Sequence, residues 1–189
     1  MPLPQGKYYT YADYLTWDEQ EHTELIEGTP VMMSPPSRAH QKACGEIFRQ
    51  IANYLDGKKG EVYAAPFAVR LFAQQDSDAV SIDTVVEPDI SVICDRDKLD
   101  DQGCKGAPDL IVEIISPSSQ RHDRLTKFNL YQRAGVREYW LVDPLARTVQ
   151  TFLLQEGHYA ATAFGGAEDV VKVQVLEGCF VELAQVFGP

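Results

Sequence analysis

A single glutamate, Glu113, lies inside a strongly apolar run that extends from Asp109 to Ser116. β-branched residues dominate the run and prolines bound it, a pattern that predicts a central, buried β-strand. An ionised carboxylate that had no partner there would be strongly destabilising, or it would be neutralised by a shift of its pKa. We therefore expect Glu113 to have a partner, which could be a metal ion, a lysine or a hydrogen-bond network.

A second carboxylate, Asp89, could meet Glu113. Alternation along the strand places Glu113 on the same face as Ile111 and Ile115. Asp89 begins the preceding predicted strand, 89–94, so both carboxylates can reach one point if the two strands are neighbours. Hard divalent cations bind one or two carboxylates together with water and phosphate oxygens. Asp89 and Glu113 are therefore candidate catalytic residues and candidate ligands for Mg²⁺ or Mn²⁺.

A lysine completes the candidate cluster. The sequence from about Gln120 to Ala134 predicts a helix, with Gly135 as its stop. At about 100° per residue, Lys127 falls in the middle of the stripe that contains Leu130 and Tyr131. An ammonium on this face could reach a buried carboxylate or a substrate phosphate. Metal-assisted phosphodiester hydrolysis uses such a cation to stabilise the transition state or to position water.

Each of these residues also has a structural interpretation. Asp89 could be a turn residue at a strand start, and Lys127 could extend its ammonium to the surface. A purely structural Lys127–Glu113 ion pair would explain both residues without any metal. His40 lies on the apolar stripe of a helix predicted over 37–55. It is either a hydrogen-bonded core histidine or, near that helix N-terminus, a catalytic or phosphate-binding group.

Further candidates surround this cluster. Glu24, on a short predicted strand, could approach the same site as a catalytic residue. Tyr131 is either a core residue or a contributor of its hydroxyl to the site. Basic residues are dense between positions 121 and 137, where Arg121 and Arg124 are candidate substrate contacts. The alternative for this basic segment is a solvated helix surface.

The elements that position these residues alternate between helices and strands, which predicts a mixed α/β layer arrangement. The strand–helix–strand unit from Leu110 to Asp143 predicts a right-handed crossover between parallel strands. Residues 73–86 are polar and acidic, and they predict an exposed, mobile loop.

Composition narrows the class of protein. A length of 189 residues suits one domain that spans 1–189. The cysteines form no CxxC pair and are interpreted as free thiols. With 17 basic and 28 acidic residues, the net charge of −11 argues against broad, nonspecific binding to nucleic acid. We expect a cytoplasmic chain without membrane contact, because neither a membrane-spanning stretch nor a signal peptide is evident.

The chain resembles the Uma-type family of proposed endonucleases, in the PD-(D/E)xK restriction-endonuclease-like superfamily. The similar phrases are residues 11–15, 24–28, 87–89, 107–118 and 131–144. The resemblance implies a mixed β-sheet core flanked by helices, divalent-metal chemistry and DNA as the substrate. Cleavage of both strands would favour a homodimer. The alternative is an inactive module of the same fold that binds nucleic acid or a protein partner.

The resemblance also assigns residues. The family's proline–aspartate falls on Pro88-Asp89, and its acidic residue falls on Glu113. A lysine is expected two positions later, but this chain has Ile115 there. In relatives this lysine is thought to have moved to the following helix, where Lys127 matches it. An additional N-terminal acidic ligand of the superfamily falls on Glu24.

Overall fold

A computed structural model describes residues 6–17, 22–116 and 122–188, the side chains of 122–124 excepted. The α-helices are α1 (Tyr11–Tyr14), α2 (Arg38–Leu55), α3 (Phe128–Ala134) and α4 (Leu183–Phe187). The strands are β1 (Thr23–Ile26), β2 (Thr29–Met32), β3 (Glu61–Ala64), β4 (Val69–Arg70), β5 (Val85–Val86), β6 (Ile90–Ile93), β7 (Leu99–Asp100), β8 (Gly103–Lys105), β9 (Leu110–Ile114), β10 (Glu138–Asp143), β11 (Thr148–Gln155), β12 (His158–Gly166), β13 (Val170–Lys172) and β14 (Phe180–Glu182). A 3₁₀ turn covers Arg96–Lys98.

Within the described residues, the strands form two six-stranded sheets and a two-stranded ribbon of β13 and β14. The first sheet has the order β2-β1-β5-β4-β8-β7, and the second has the order β12-β11-β10-β9-β6-β3. Strands β9 and β10 are parallel and flank α3 in the chain, which confirms parallel strands in the predicted strand–helix–strand unit. The mixed sheets and their helices confirm the predicted α/β class.

The second sheet is covered on both faces, which explains the uninterrupted apolar run of β9. Its even-numbered residues, such as Val112, pack in one core cluster with Ile47 and Ile51 of α2. Ile111 and Ile115 pack in another cluster with residues of α3. Alternation along the strand therefore directs the odd-numbered Glu113 towards the α3 layer.

The N-terminal part of α2 is fixed by a side-chain cap. The Ser37 hydroxyl accepts a hydrogen bond from the backbone N–H of His40 at 3.2 Å. Every fourth residue from Ala43 to Leu55 is buried, as the predicted apolar stripe requires. The cap and the stripe together place His40 in the first turn, beside the sheet.

The helix before β10 differs from the regular α-helix that the sequence predicts. Residues His122–Lys127 form wide π-type turns, and the α-helical hydrogen bonding begins only at Phe128. Lys127 nevertheless faces the sheet and is 1% exposed. The wheel placed it correctly relative to Leu130 and Tyr131 because all three residues lie at the start of α3, where the α-helical step applies.

The prediction of an exposed loop over 73–86 is wrong for its last residues. Val85 and Val86 are completely buried, and they form β5, which joins β1 to β4. Ile82 is also buried. Two valines after a long acidic stretch are too few to produce a strand periodicity, so the sequence pattern did not reveal this strand.

A buried arginine, Arg70 of β4, binds Asp100 of β7 in the first sheet. Its guanidinium donates hydrogen bonds of 3.0 and 2.6 Å to the two oxygens of Asp100. These bonds lower the pKa of the Asp100 carboxyl. Arg70 is only 2% exposed, so we expect Asp100→Asn to leave a buried cation without its counter-charge. Asp100 itself is 35% exposed and screened by solvent, so the expected loss of stability is about 2 kcal/mol at neutral pH.

The sign of the pH dependence follows from the lowered pKa of Asp100. Its stabilising contribution is present above the pKa of the unfolded carboxyl and is lost as the pH falls through the folded-state pKa. The free energy of unfolding, measured with urea, should therefore differ strongly between wild type and Asp100→Asn at neutral pH. The difference should be small below about pH 3. Asp101→Asn, at the neighbouring exposed acid, is the matched control. A difference that does not change with pH would contradict this account.

Candidate active site

Lys127 lies between two buried carboxylates. Its Nζ is 2.9 Å from Glu24 Oε1 and 2.9 Å from Glu113 Oε1. The side chains of Lys127, Glu24 and Glu113 are 1%, 0% and 3% exposed. Glu24 comes from β1 in the first sheet, whereas Glu113 comes from β9 in the second. Three distant parts of the chain thus converge on one ammonium group.

Tyr131 belongs to the same cluster. Its hydroxyl donates a hydrogen bond to Glu113 Oε1 at 2.6 Å, so this oxygen accepts from both Lys127 and Tyr131. Burial, followed by the charge of Glu113, raises the pKa of the Tyr131 hydroxyl well above its usual value. The phenol therefore remains a donor. Because Tyr131 is fully buried, its position suits a residue that holds Glu113 better than one that contacts substrate.

Asp89 lies beside Glu113 on the neighbouring strand. In the antiparallel pair of β6 and β9, Ile90 is opposite Val112 and Ser91 is opposite Ile111. Continued by one residue, this register would bring Asp89, a bend residue directly before β6, opposite Glu113. Both charges act on the thiol of Cys44, where burial and these two carboxylates raise the pKa to about 12. Asp89 and Glu113 are therefore both close enough to Cys44 to influence its thiol.

His40 meets Asp89 from the first turn of α2. Its Nε2 is 3.2 Å from Asp89 Oδ1, and the two side chains are 13% and 15% exposed. Asp89 Oδ2 accepts a hydrogen bond from the backbone N–H of Ile114 at 2.7 Å. Asp89 therefore has a structural function at the strand start in addition to any role in chemistry. The pair of Asp89 and His40 forms the side of the cluster that solvent can reach.

Glu87 connects the N-terminal segment to the cluster, and sequence reasoning did not single it out. Its backbone N–H donates to Glu24 Oε1 at 2.9 Å, and its carboxylate accepts from the Tyr14 hydroxyl at 2.7 Å. Burial and the charge of Glu87 raise the pKa of Tyr14. In the sequence, Glu87 and Tyr14 were marked only as members of the phrases 87–89 and 11–15 that resemble the family.

The cluster contains carboxylate oxygens of the kind that a hard divalent cation binds. Glu24 Oε2 is buried, and no described residue offers it a hydrogen bond. Such an oxygen is unfavourable unless a cation, water or proton satisfies it. Among the described residues, no group of three or more His, Cys, Asp and Glu is arranged to hold a metal ion. Asp89 and Glu113 together match the one or two carboxylates that Mg²⁺ takes in addition to water and phosphate.

Two predicted contacts fall outside this description. Arg121 lies outside the described residues, and so does the side chain of Arg124. Their contacts with a substrate stay predictions. Among the described helices, none combines the length and hydropathy that a membrane-spanning helix needs.

The fold is similar to that of a crystal structure from Anabaena variabilis, described as "a putative nuclease belonging to DUF820". The two chains superpose with a TM-score of 0.73 over 95% of this chain and 97% of the other, at 20% sequence identity. At this level of identity the likeness shows a shared nuclease-like α/β fold.

Two proteins of Synechocystis sp. are similar in sequence. "Uncharacterized protein slr1290" is 31% identical over 134 residues, which are 69% of this chain and 66% of that protein. This match spans just under two thirds of the length of that relative. "Uncharacterized protein sll1609" is 25% identical over 157 residues, which are 80% of this chain and 84% of that protein.

The family model Uma2, described as "Putative restriction endonuclease", matches residues 11–184. The matched region contains the whole cluster around Lys127 as well as both six-stranded sheets. The family match agrees with the fold similarity and with the similar sequence phrases, which include the apolar phrase around Glu113. The chain belongs to the Uma2 family.

Proposed function

We propose that this chain is a metal-dependent DNA endonuclease that hydrolyses phosphodiester bonds. The observation that carries the proposal is the convergence of Asp89, Glu113 and Lys127. Glu113 lies on β9, Asp89 directly precedes the strand β6 that pairs with β9, and a buried ammonium contacts Glu113 at 2.9 Å. This combination of oxygen ligands and a fixed cation is what metal-assisted phosphoryl chemistry uses.

Each residue of the cluster has its own role in the proposed reaction. Asp89 and Glu113 would hold Mg²⁺ or Mn²⁺, and the bound ion would supply an activated water and offset charge on the scissile phosphate. Tyr131 fixes Glu113 through its hydroxyl, and His40 fixes Asp89. Lys127 provides positive charge next to the reacting phosphate. The substrate approaches from the side of Asp89 and His40, where solvent reaches the cluster.

DNA is the proposed substrate because of the family and the chemistry, despite the net charge of −11. A phosphodiester carries the negative charge that the metal and Lys127 together complement. Cleavage of both strands of a duplex would need two active sites, so we propose that the active form is a homodimer.

The burial of Lys127 favours a second candidate function. With 1% exposure and two carboxylate partners, its ammonium could serve only to neutralise Glu24 and Glu113. The chain would then be an inactive module of the nuclease fold that binds nucleic acid or a protein partner. This candidate predicts DNA retention that weakens with salt and shows no cleavage.

Nicking of a supercoiled plasmid separates the two candidates. The full chain should convert the plasmid to relaxed product with Mg²⁺ or Mn²⁺ and should stop when EDTA is added. Asp89→Asn should be slower by roughly 10²-fold, because it removes one charged oxygen donor from the metal. Glu46→Gln, at a surface acid of α2, should cleave at the wild-type rate. An absence of cleavage with either metal would reject the proposed nuclease function.

A further inference from the structure

Glu24 joins two segments that carry catalytic residues. A single oxygen, Oε1, accepts hydrogen bonds from Lys127 Nζ and from the backbone N–H of Glu87, each at 2.9 Å. Glu87 is two residues before Asp89 in the chain. The contacts of Oε1 thus tie the ammonium directly to the backbone that leads into the metal-binding aspartate.

The charges of the cluster indicate what Glu24 does when a metal is bound. Among the residues that the structure describes, Glu24 and Glu113 are carboxylate partners of Lys127. Once Glu113 shares its negative charge with a divalent cation, it is a weaker counter-charge for the ammonium. A buried ammonium that lost its only counter-charge would be strongly destabilised. Glu24 is the second carboxylate, and it keeps Lys127 charged and in place.

The position of Glu24 suits this function better than direct metal binding. An oxygen of a carboxylate has two lone pairs, and both lone pairs of Oε1 already have donors. Glu24 is 0% exposed and belongs to the first sheet, whereas Asp89, at 15% exposure, borders solvent. The other oxygen, Oε2, is buried with no hydrogen-bond donor among the described residues, so the metal titration of a Glu24 variant is the decisive measurement.

We propose that Glu24 is a positioning residue that acts through Lys127, and that it is not a ligand of the catalytic metal. This inference rests on the proposed nuclease function. It predicts that Glu24 and Lys127 behave as one unit in cleavage, while metal affinity depends on Asp89 and Glu113 alone.

The test compares Mn²⁺ binding, measured by calorimetry, with the rate of plasmid nicking at saturating Mn²⁺. Glu24→Gln should bind Mn²⁺ within about 3-fold of wild type and should cleave at least roughly 10-fold more slowly. Added to Lys127→Met, it should change the rate by less than about 2-fold, because residues that act as a unit are not additive. Glu27→Gln, at the exposed acid of the same hairpin, should match wild type in both measurements.

Thermal melting establishes which variants are folded, and if Lys127→Met is unfolded, the Mn²⁺ titration of Glu24→Gln decides alone. Weakening of Mn²⁺ binding by roughly 10-fold or more in Glu24→Gln, as expected for Asp89→Asn, would overturn the inference and make Glu24 a ligand. A wild-type rate for Glu24→Gln would also overturn it. An inactive wild type would reject the proposed function and this inference with it, whereas the first two failures leave the nuclease intact.

Discussion

Replacing Glu113 by glutamine will remove metal-dependent cleavage while the chain stays folded. The amide oxygen can still accept hydrogen bonds from Tyr131 and Lys127, so the contacts at 2.6 and 2.9 Å keep their geometry. The substitution removes the negative charge that a divalent cation requires. We expect cleavage to fall by roughly 10²–10³-fold, the scale on which single groups that stabilise the transition state act. Plasmid nicking at saturating Mg²⁺ measures the loss.

The control for this prediction is another buried glutamate of the same sheet. Glu138 is 0% exposed, and its carboxylate accepts from Trp140 Nε1 and from the backbone N–H of Val175. Burial raises the pKa of Glu138. Its alternation with Trp140 places it on the α2 face, opposite to Glu113. Glu138→Gln should lower the melting temperature but retain wild-type nicking below that temperature. Equal rates for wild type and Glu113→Gln would contradict the catalytic assignment.

Replacing Lys127 by alanine will destabilise the chain by about 3–5 kcal/mol, the cost of breaking a buried ion pair by removing one partner. The reason is that Glu24 and Glu113 are 0% and 3% exposed and would both lose their ammonium. Urea unfolding at neutral pH measures the change. Lys172→Ala, at an exposed lysine of β13, is the control and should have little effect.

A charge-free cluster tests the cause of that loss. Lys127→Met combined with Glu24→Gln and Glu113→Gln removes the buried charges together and should recover much of the stability. A loss below about 1 kcal/mol for Lys127→Ala would mean that solvent or other groups satisfy the carboxylates. Both candidate functions predict the large loss, because the ion cluster exists in either case. Only cleavage separates the nuclease from the inactive module.

The second sheet was largely predictable, since long apolar runs specify its central strands. The apolar run around Glu113 and the helix with Lys127 gave clear periodicities, and strand alternation and the helical wheel directed both side chains to one layer. The first sheet was not predictable to the same degree. Its strands β4 and β5 have two residues each, too few for any period to appear.

The candidate site was likewise predictable from the sequence only in part. Glu113 and Lys127 became candidates because a charge in an apolar pattern is conspicuous, and Asp89 became one because it begins the preceding predicted strand. Glu24 was a weak candidate, since its strand is short and the nearby Glu27 is also acidic. The contacts of Glu87 join residues that are far apart in the chain: Glu24 is 63 positions away and Tyr14 is 73 positions away. No local pattern encodes such contacts.

Glu24 belongs to one six-stranded sheet and Glu113 to the other, so the contacts of Lys127 connect the two sheets. A descendant protein without the proposed cleavage activity would still need these ion pairs to hold its two sheets together. Natural selection for folding alone would then preserve all three charges. Their retention in a relative is therefore evidence of an intact architecture and is not by itself evidence of catalysis.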